Sequence, residues 1–170
     1  ITERLETKNK LRKEKELSEK IINSLPGIFY LSDQTPRLVI WNKMFETISG
    51  YSAEELKAIR PIALFVAEDQ QAVLQSLQKT YADGGADVEA RLLTKSGEQI
   101  PFYFTGVRIE YNGELCILGT GINLTERKKA EEALTASENR LRTIYETEPE
   151  CIKMLNEKGG LIEMNPAGLE

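Results

Sequence analysis

The side chains that most often carry out chemistry are few in this sequence. The chain contains no histidine. Catalysis by Ser-His-Asp or Cys-His groups, histidine-ligated zinc or haem iron, and a phospho-accepting histidine are therefore excluded within these residues. The two cysteines, Cys116 and Cys151, lack the CxxC spacing of a metal knuckle or a redox motif. Two isolated thiols are typical of a protein from a reducing compartment.

The charged and glycine-rich patterns do not form a catalytic motif either. Glu89 and Arg91 alternate along one predicted strand, and Glu54-Glu55 head a predicted helix, but neither pattern predicts a shared cleft or a perturbed pKa. Gly119 and Gly121 lack the following Lys-Ser/Thr pair and the βαβ context of a phosphate loop. We therefore predict that this segment is not an enzyme.

Charge and hydropathy narrow the possible partners. The 170 residues carry a net charge of −5 without a cluster of basic residues, which argues against a nucleic-acid partner. The sequence has no run of about 18 apolar residues and no signal-peptide pattern, so we expect a cytoplasmic segment without direct membrane contact. Any membrane anchor of the parent protein would lie outside this segment. The length allows about one domain and a remainder.

The two ends of the chain align with each other without a gap at an offset of 123 residues. At this offset Pro26 matches Pro149, and Asn42 matches Asn165. Further matches are Leu11 with Leu134, Ile21 with Ile144, and Leu38 with Leu161. The repeat indicates a tandem array of which the chain holds the tail of one unit, one whole unit, and the start of the next.

Two segments, residues 2–25 and 125–148, are densely charged and free of glycine and proline, which predicts solvated helices. In the second segment, small or apolar residues recur at heptad spacing, which favours a parallel coiled-coil homodimer. This coiled-coil seam is formed by Leu134, Ser137, Leu141 and Ile144. Some seam positions are small or polar, so an ordinary surface helix is the alternative.

Between these segments, the pattern first predicts two short strands and three short helices. The strands cover residues 28–33 and 37–42. The helices begin near Asn42, Ser52 and Asp69, whose side chains can accept hydrogen bonds from the free N–H groups of a helix start. We expect Asn42 to act as an N-cap.

Three longer strands follow at residues 87–95, 99–111 and 114–122. Asn112-Gly113, between the last two, is a strong hairpin signal. The last strand has apolar residues on both faces, so both faces of the sheet should be covered, one by the short helices and the other by a flanking helix or a second subunit. The order of elements predicts an α+β domain of about 100 residues.

Five segments of the sequence resemble the motifs of a known domain family, and they occur in the same order as in that family. They are Ile40-Trp41-Asn42, Ile48-Ser49-Gly50-Tyr51-Ser52-Ala53-Glu54-Glu55-Leu56, Leu64-Phe65-Val66-Ala67-Glu68-Asp69, Lys95-Ser96-Gly97-Glu98-Gln99-Ile100-Pro101, and Gly121-Ile122-Asn123-Leu124-Thr125-Glu126-Arg127-Lys128. Together they resemble the PAS sensor domain of bacterial signalling kinases. Asn123 and Leu124 replace the usual Asp and Ile of the closing segment. The resemblance covers residues 24–128.

The resemblance implies an α+β PAS fold. This fold has a five-stranded antiparallel sheet of order 2-1-5-4-3 with short helices on one face, and here it would be flanked by long N- and C-terminal signalling helices. The implied segments are a connecting helix at 1–25 with the tail of a preceding unit at 1–4, a complete PAS domain at 26–124, a connecting coiled-coil helix at 125–148, and the truncated start of a following unit at 149–170. The last segment lacks a partner sheet, so we expect it to be disordered or to borrow a strand edge from another chain.

The resemblance also implies a sensory function. PAS domains sense a ligand, light or a redox state, or merely dimerise, and pass the result along their flanking helices. We expect a module of a sensor histidine kinase that forms a homodimer through its flanking helices, beside neighbouring PAS and effector domains of the parent chain. A ligand-free dimerisation module, and the sensor of a diguanylate cyclase or transcription regulator, are the alternatives.

The residue types limit the cofactors that the family can bind. We do not expect histidine-ligated haem, because the chain has no histidine that could serve as an axial ligand. We do not expect a covalent flavin either, because its cysteine would have to lie in the helical segment that faces the flavin ring. Cys116 lies on the last strand, and Cys151 lies beyond the domain. We expect no cofactor or a small organic ligand. By strand and helix alternation, the candidate pocket residues are Phe65, Leu74, Leu92, Phe102, Phe104 and Leu118, with simple core filling as the alternative.

The junction between the last strand and the second long helix is the expected output point. Asn123, Thr125 and Glu126 are the residues that we expect to carry the signal, and Asn123 with Glu126 predicts a capping box. A coiled-coil seam with small or polar residues suits a signalling switch, because a switch needs two helix arrangements of similar free energy. Trp41 is expected to fill a core or an interface.

Overall fold

The computed structural model describes the backbone of residues 2–168 and the side chains of residues 6–168. The chain divides into two compact units, the first ending at Thr125 and the second beginning at Glu126. Residue 1, in the predicted tail at 1–4, and residues 169–170, in the predicted segment 149–170, lie outside the described residues.

The first unit contains a five-stranded antiparallel sheet. Its strands are β1 (Ile28–Ser32), β2 (Leu38–Trp41), β3 (Gly85–Leu93), β4 (Gln99–Tyr111) and β5 (Glu114–Asn123). They lie in the order β2-β1-β5-β4-β3, which confirms the order implied by the family resemblance. The turn between β4 and β5 has positive φ at both Asn112 (53°) and Gly113 (79°), as the hairpin signal predicted.

The helices of the first unit follow local capping signals. They are α1 (Thr2–Ser24), α2 (Lys43–Ser49), α3 (Ala53–Ala58), a 3-10 turn (Pro61–Leu64) and α4 (Ala67–Asp83). Ser52 and Glu55 form the predicted capping box of α3. The prediction that Asp69 caps the third helix is wrong, because α4 begins at Ala67 and Asp69 lies inside its first turn. The Asp69 carboxylate instead accepts hydrogen bonds from Arg91 on β3, including one of 2.7 Å from the backbone N–H.

The hydrophobic core lies on the helical side of the sheet. Its most buried members are Ile28, Leu38, Phe45, Leu56, Leu64, Leu92, Phe102 and Phe104. On the opposite face, Leu31 of β1 lies beside Leu118 of β5. Several apolar side chains outside this core are exposed, including Val107 and Ile122.

The second unit contains a long helix and a hairpin. Its elements are α5 (Thr125–Thr147), β6 (Lys153–Leu155), β7 (Leu161–Met164) and a 3-10 turn (Pro166–Gly168). The helix α5 starts at Thr125, the last residue of the first unit. The strands β6 and β7 pair with each other. Seam residues Leu134, Leu141 and Ile144 are 61%, 65% and 46% exposed. The homodimer through these helices stays a prediction.

The part of the chain that the structure describes has neither a membrane-spanning helix nor a cluster of metal ligands. Within residues 2–168, none of the helices combines the length and apolar character needed to cross a bilayer. The same residues contain no cluster of three or more Cys, Asp or Glu side chains arranged to hold a metal ion.

Candidate functional site

A mostly apolar cavity of about 220 Å³ lies between the inner face of the sheet and α4. Its walls come from β1, the β1–β2 loop, the 3-10 turn, α4 and the middle of β3, β4 and β5. Of the six residues predicted to line a pocket, Phe65, Leu74, Leu92 and Phe104 line this cavity. The rings of Phe65 and Phe104 meet edge to face with centroids 5.2 Å apart.

The other two predicted lining residues lie elsewhere. Leu118 points away from the cavity, because its neighbours Ile117 and Gly119 occupy the inner face and side chains alternate along a strand. Phe102 is on the inner face but fully buried, with its ring stacked 5.4 Å from that of Phe104. It therefore forms part of the core behind the cavity wall.

Two glycines of β5 let aromatic rings lie directly on the sheet. A Cβ at Gly119 would collide with the ring of Tyr30, and a Cβ at Gly121 would lie 2.6 Å from Cε1 of Phe104. Such distances are too short for a real contact, so these positions need glycine. The pattern that the sequence excluded as a phosphate loop thus positions two cavity-lining rings.

Two hydroxyl groups on β1 face this apolar space. Tyr30 and Ser32 both line the cavity, since residues two apart on a strand share a face. Neither hydroxyl forms a hydrogen bond with any part of the chain that the structure describes. Burial raises the pKa of Tyr30 to about 12, so its phenol is neutral at physiological pH and can both donate and accept.

The mouth of the cavity is closed partly by a contact between α4 and the β1–β2 loop. The hydroxyl of Tyr81 donates to the backbone carbonyl of Asp33 at 3.1 Å. The Asp33 carboxylate accepts from the N–H groups of Thr35 and Arg37 at 2.9 and 3.0 Å. Burial alone would raise the pKa of Asp33, but these hydrogen bonds and that from the Thr35 hydroxyl leave it lowered. The carboxylate is therefore engaged within its own loop.

The lining residues have a simple chemical character. Apart from Asp33, no described residue that lines the cavity is charged. Neither cysteine lines it. Cys116 is buried elsewhere on β5, and burial raises the pKa of its thiol. The residues present therefore fit neither histidine-ligated haem nor a cysteine-linked flavin.

Asn42, predicted as a helix N-cap, makes a larger set of contacts than capping requires. Its Oδ1 accepts from Phe45 N–H, which caps α2, and from Phe29 N–H on β1, at 3.2 and 3.1 Å. Its Nδ2 donates to the carbonyls of Gly27 at 2.8 Å and of Ile22 in α1 at 3.3 Å. The residue is fully buried. We call this set of four hydrogen bonds the Asn42 clamp.

The predicted output junction has a different geometry from the one expected. Asn123 Oδ1 accepts from Thr125 N–H at 2.8 Å. Glu126 does not complete a capping box, and its carboxylate lies 3.5 Å from Lys129 Nζ. Leu124, between them, is 7% exposed, and its N–H donates to the Pro101 carbonyl at 2.8 Å. Leu124 therefore anchors the strand-to-helix junction.

Sequence reasoning missed Tyr30, Ser32 and Tyr81. The alternation of residues 30 and 32 along a predicted strand was a usable signal for the two hydroxyls. The contact between Tyr81 and Asp33 joins residues that are 48 positions apart. Nothing in the local pattern around either residue pointed to it.

Comparison with known proteins places these features in a family. Residues 38–121 match the family model of the PAS fold. The methyl sulfide methyltransferase-associated sensor of Methanosarcina acetivorans is 33% identical over 95 residues, which are 56% of this chain and 10% of that protein. The chain thus spans about a tenth of the length of this relative.

Solved structures share the fold. The PAS domain of an HTR-like protein from Haloarcula marismortui has a TM-score of 0.63 at 16% identity, covering 69% of this chain and 98% of that one. A PAS domain from a two-component sensor histidine kinase has a TM-score of 0.58 at 13% identity, covering 66% and 97%. The chain therefore contains a PAS domain.

Proposed function

We propose that this chain is a sensory module whose PAS domain binds a small, neutral, mostly apolar molecule in the cavity between β1 and α4. The observation that carries the proposal is the pair of unpartnered hydroxyls, Tyr30 and Ser32, facing an apolar cavity. Both hydroxyls are accessible from the cavity, because among the described residues the fully buried side-chain oxygen without a partner is that of Tyr145. A ligand that forms a hydrogen bond with either hydroxyl would gain about 0.5–1.5 kcal/mol.

Size and charge define the ligand further. An engineered cavity of roughly 150 Å³ is known to hold benzene, so about 220 Å³ suits a single substituted ring. Among the described residues, no lysine or arginine lines the cavity, so an anionic group would be buried without a counter-charge, at a large cost in free energy. The proposed ligand therefore has one or two neutral hydrogen-bonding atoms on a compact apolar body.

Three probes of similar size test this proposal. We expect benzyl alcohol to bind in a chemical-shift titration, toluene to bind more weakly, and benzoate not to bind. Tyr30→Phe should weaken benzyl alcohol binding by about 3- to 10-fold, as loss of one neutral hydrogen bond predicts. Ser32→Ala should weaken it by a similar or smaller factor, and Tyr111→Phe, on an exposed residue, is the control. Benzoate binding as tightly as benzyl alcohol would refute the assignment.

The proposed output runs through the long helices. In this proposal the chain is part of a cytoplasmic tandem array in a sensor histidine kinase, and ligand binding changes the register of a parallel coiled coil at Leu134, Ser137, Leu141 and Ile144. The exposure of the apolar seam residues supports a partner for α5. The relative from Methanosarcina acetivorans is named as a sensor, and one similar domain comes from a histidine kinase.

The junction residues test this output. Asn123→Ala combined with Thr125→Ala should alter kinase output of the intact parent protein while its core stays folded, because Asn123 Oδ1 holds the first N–H group of α5. Leu124→Ala should have a larger effect, because it also removes a buried side chain. Unchanged output in both variants would contradict this route.

A dimerisation module without a ligand is the second candidate, and the exposed seam supports it equally. It predicts that Leu141→Glu abolishes dimers in sedimentation experiments and that none of the three probes binds. The parent of such a module could equally be a diguanylate cyclase or a transcription regulator. The probe titration therefore separates the two candidates.

A further inference from the structure

The Asn42 clamp joins three parts of the domain, β1, α2 and the end of α1, through one buried side chain. Its Oδ1 holds the N–H groups of Phe29 on β1 and Phe45 on α2, and its Nδ2 holds the carbonyl of Ile22 in the last turns of α1. Phe45 lines the cavity, and Phe29 directly precedes Tyr30, which lines it too. One buried amide therefore contacts both the cavity wall and the end of α1.

We propose that Asn42 is the residue that couples occupancy of the cavity to the end of α1. This inference rests on the proposed ligand-binding function and names its regulation. The rings of Tyr30 and Phe45 lie 6.3 Å apart and border the same space. A ligand that displaces the backbone at either residue would therefore act on an N–H group held by Asn42, which is that of Phe45 itself or that of Phe29, the residue before Tyr30.

The planarity and burial of the amide explain how a small shift is passed on. Oδ1 and Nδ2 of one amide group lie in a plane, so a rotation that follows the N–H groups of Phe29 and Phe45 also displaces the donors to Gly27 and Ile22. Asn42 is 0% exposed, and its partners Gly27 and Ile22 are half-buried, so water replaces its hydrogen bonds poorly. A shift of the amide group therefore affects all four hydrogen bonds.

A second, independent link reinforces the same connection. Oδ1 of Asn23 in α1 accepts from the N–H group of Lys43, the first residue of α2, at 2.8 Å. This contact is exposed, and neither Asn23 nor Lys43 lines the cavity, although Lys43 directly follows Asn42 in the chain. Its loss would loosen α1 from α2 while the hydrogen bonds of the Asn42 side chain remain.

Two substitutions separate the coupling from folding. Asn42→Asp keeps an oxygen that accepts from Phe29 and Phe45 but removes both N–H donors to Gly27 and Ile22. Asn23→Ala removes the exposed link to Lys43 together with a hydrogen bond to the Glu19 carbonyl within α1, and it leaves the side chain of Asn42 in place. This variant keeps the test available if Asn42→Asp does not fold. Thr47→Ala is the matched control, because Thr47 is an exposed α2 residue whose hydroxyl bonds only to the Lys43 carbonyl.

Hydrogen exchange of the whole chain, read on a peptide covering residues 16–27 with and without saturating benzyl alcohol, measures the coupling. In the wild type and Thr47→Ala, we expect ligand to change exchange of these amides by at least about threefold. In Asn42→Asp the change should vanish although benzyl alcohol still binds, and in Asn23→Ala it should be reduced. The unliganded Asn42→Asp variant should exchange about tenfold faster, as loss of buried hydrogen bonds predicts.

The possible failures are distinguishable. If benzyl alcohol does not bind, the proposed function and this inference both fall. If it binds and exchange at residues 16–27 does not respond, only the coupling is refuted. A response that persists unchanged in both Asn42→Asp and Asn23→Ala would show that the coupling runs through other residues.

Discussion

The chain contains the same hairpin twice, and the two copies differ in what surrounds them. Tyr30 pairs with Trp41 in the first copy, and Lys153 pairs with Met164 in the second, at the offset of 123 residues that the sequence repeat predicted. Both copies have a register shift one residue further along. The first copy continues into a five-stranded sheet, whereas β6 and β7 form a sheet of two strands.

The loops and amides of the two copies also correspond. Asp33 Oδ1 accepts from the N–H groups two and four residues later, and Asn156 Oδ1 does the same. Asn165 is fully buried like Asn42, accepts from Ile152 N–H and donates to the Glu150 carbonyl. Its further bond goes to Glu148, just after α5. We call these contacts the Asn165 clamp. The hairpin and its buried asparagine therefore have the same local geometry in both copies, with and without a larger sheet beside them.

The largest expected difference between the copies is in hydrogen exchange. The apolar residues Met154, Leu155, Leu161 and Ile162 of the second hairpin are all about half exposed. A two-stranded hairpin without a packed face is marginally stable. We expect amides of β6 and β7 to exchange at least about a thousandfold faster than those of β4 and β5, because the latter open only with the domain. Strong protection of β6 and β7 that does not depend on protein concentration would contradict this expectation.

The second-largest expected difference between the copies is the loss of stability when the clamp asparagine is replaced by alanine. Asn42→Ala leaves the N–H groups of Phe29 and Phe45 without their acceptor in a buried site, which should lower the free energy of unfolding by about 3 kcal/mol. Asn165→Ala should leave the main urea transition within about 0.5 kcal/mol of the wild type. Equal losses in the two variants would mean that the units unfold as one.

High pH should destabilise the first copy through Tyr30, whose counterpart is Lys153. The folded-state pKa of Tyr30 is about 12 because of burial, against 10.0 ordinarily. A folded pKa above the unfolded value gives stability that is fully present below pH 10 and lost as the pH rises towards 12. Over that range the wild type should lose up to roughly 1.4 kcal/mol per pH unit more than Tyr30→Phe. Parallel pH curves for the two proteins would refute the burial of this phenol.

At neutral pH, Tyr30→Phe should raise the stability of the ligand-free domain. The variant removes a hydroxyl that lacks a hydrogen-bond partner among the described residues, so we expect a gain of about 1 kcal/mol in the free energy of unfolding. Tyr81→Phe is the matched control, for which we expect the free energy of unfolding to fall by about 1 kcal/mol. The Tyr81 hydroxyl donates a hydrogen bond to the Asp33 carbonyl, and the variant loses this bond. A loss of stability in both variants would mean that Tyr30 is bonded in solution.

Features that depend on neighbouring residues could be predicted from the sequence. The Asn112-Gly113 turn, the Ser52–Glu55 capping box and the Asn42 cap each involve contacts within a few residues, and all three are present. The strand order came from the family resemblance and was confirmed. Local chemistry and a recognised family thus account for most of the fold.

Features that depend on register between distant strands and helices could not be predicted. Asp69 binds Arg91, 22 residues away, instead of capping α4. Leu118 lies on the opposite face from the cavity, because a shift of one residue along a strand reverses the face. The sequence did not indicate the hydroxyls of Tyr30 and Ser32 as site residues. They matter because they have no hydrogen-bond partner in the described chain, and the absence of a partner can be seen only in the packed structure.

The smallest predicted difference concerns a link that only the first copy has. Asn23 accepts from Lys43 N–H, whereas the positions that correspond to them are Glu146 and Pro166, and proline has no N–H group to donate. Asn23→Ala should therefore lower the free energy of unfolding by about 0.5–1 kcal/mol, as for other helix caps. Glu146→Ala removes only an exposed ion pair with Arg142 and should cost less than about 0.5 kcal/mol. Urea titrations of both variants measure the difference. If Asn23→Ala costs nothing, Asn23 does not help the Asn42 clamp to hold α1, and this difference between the two copies has no effect on stability.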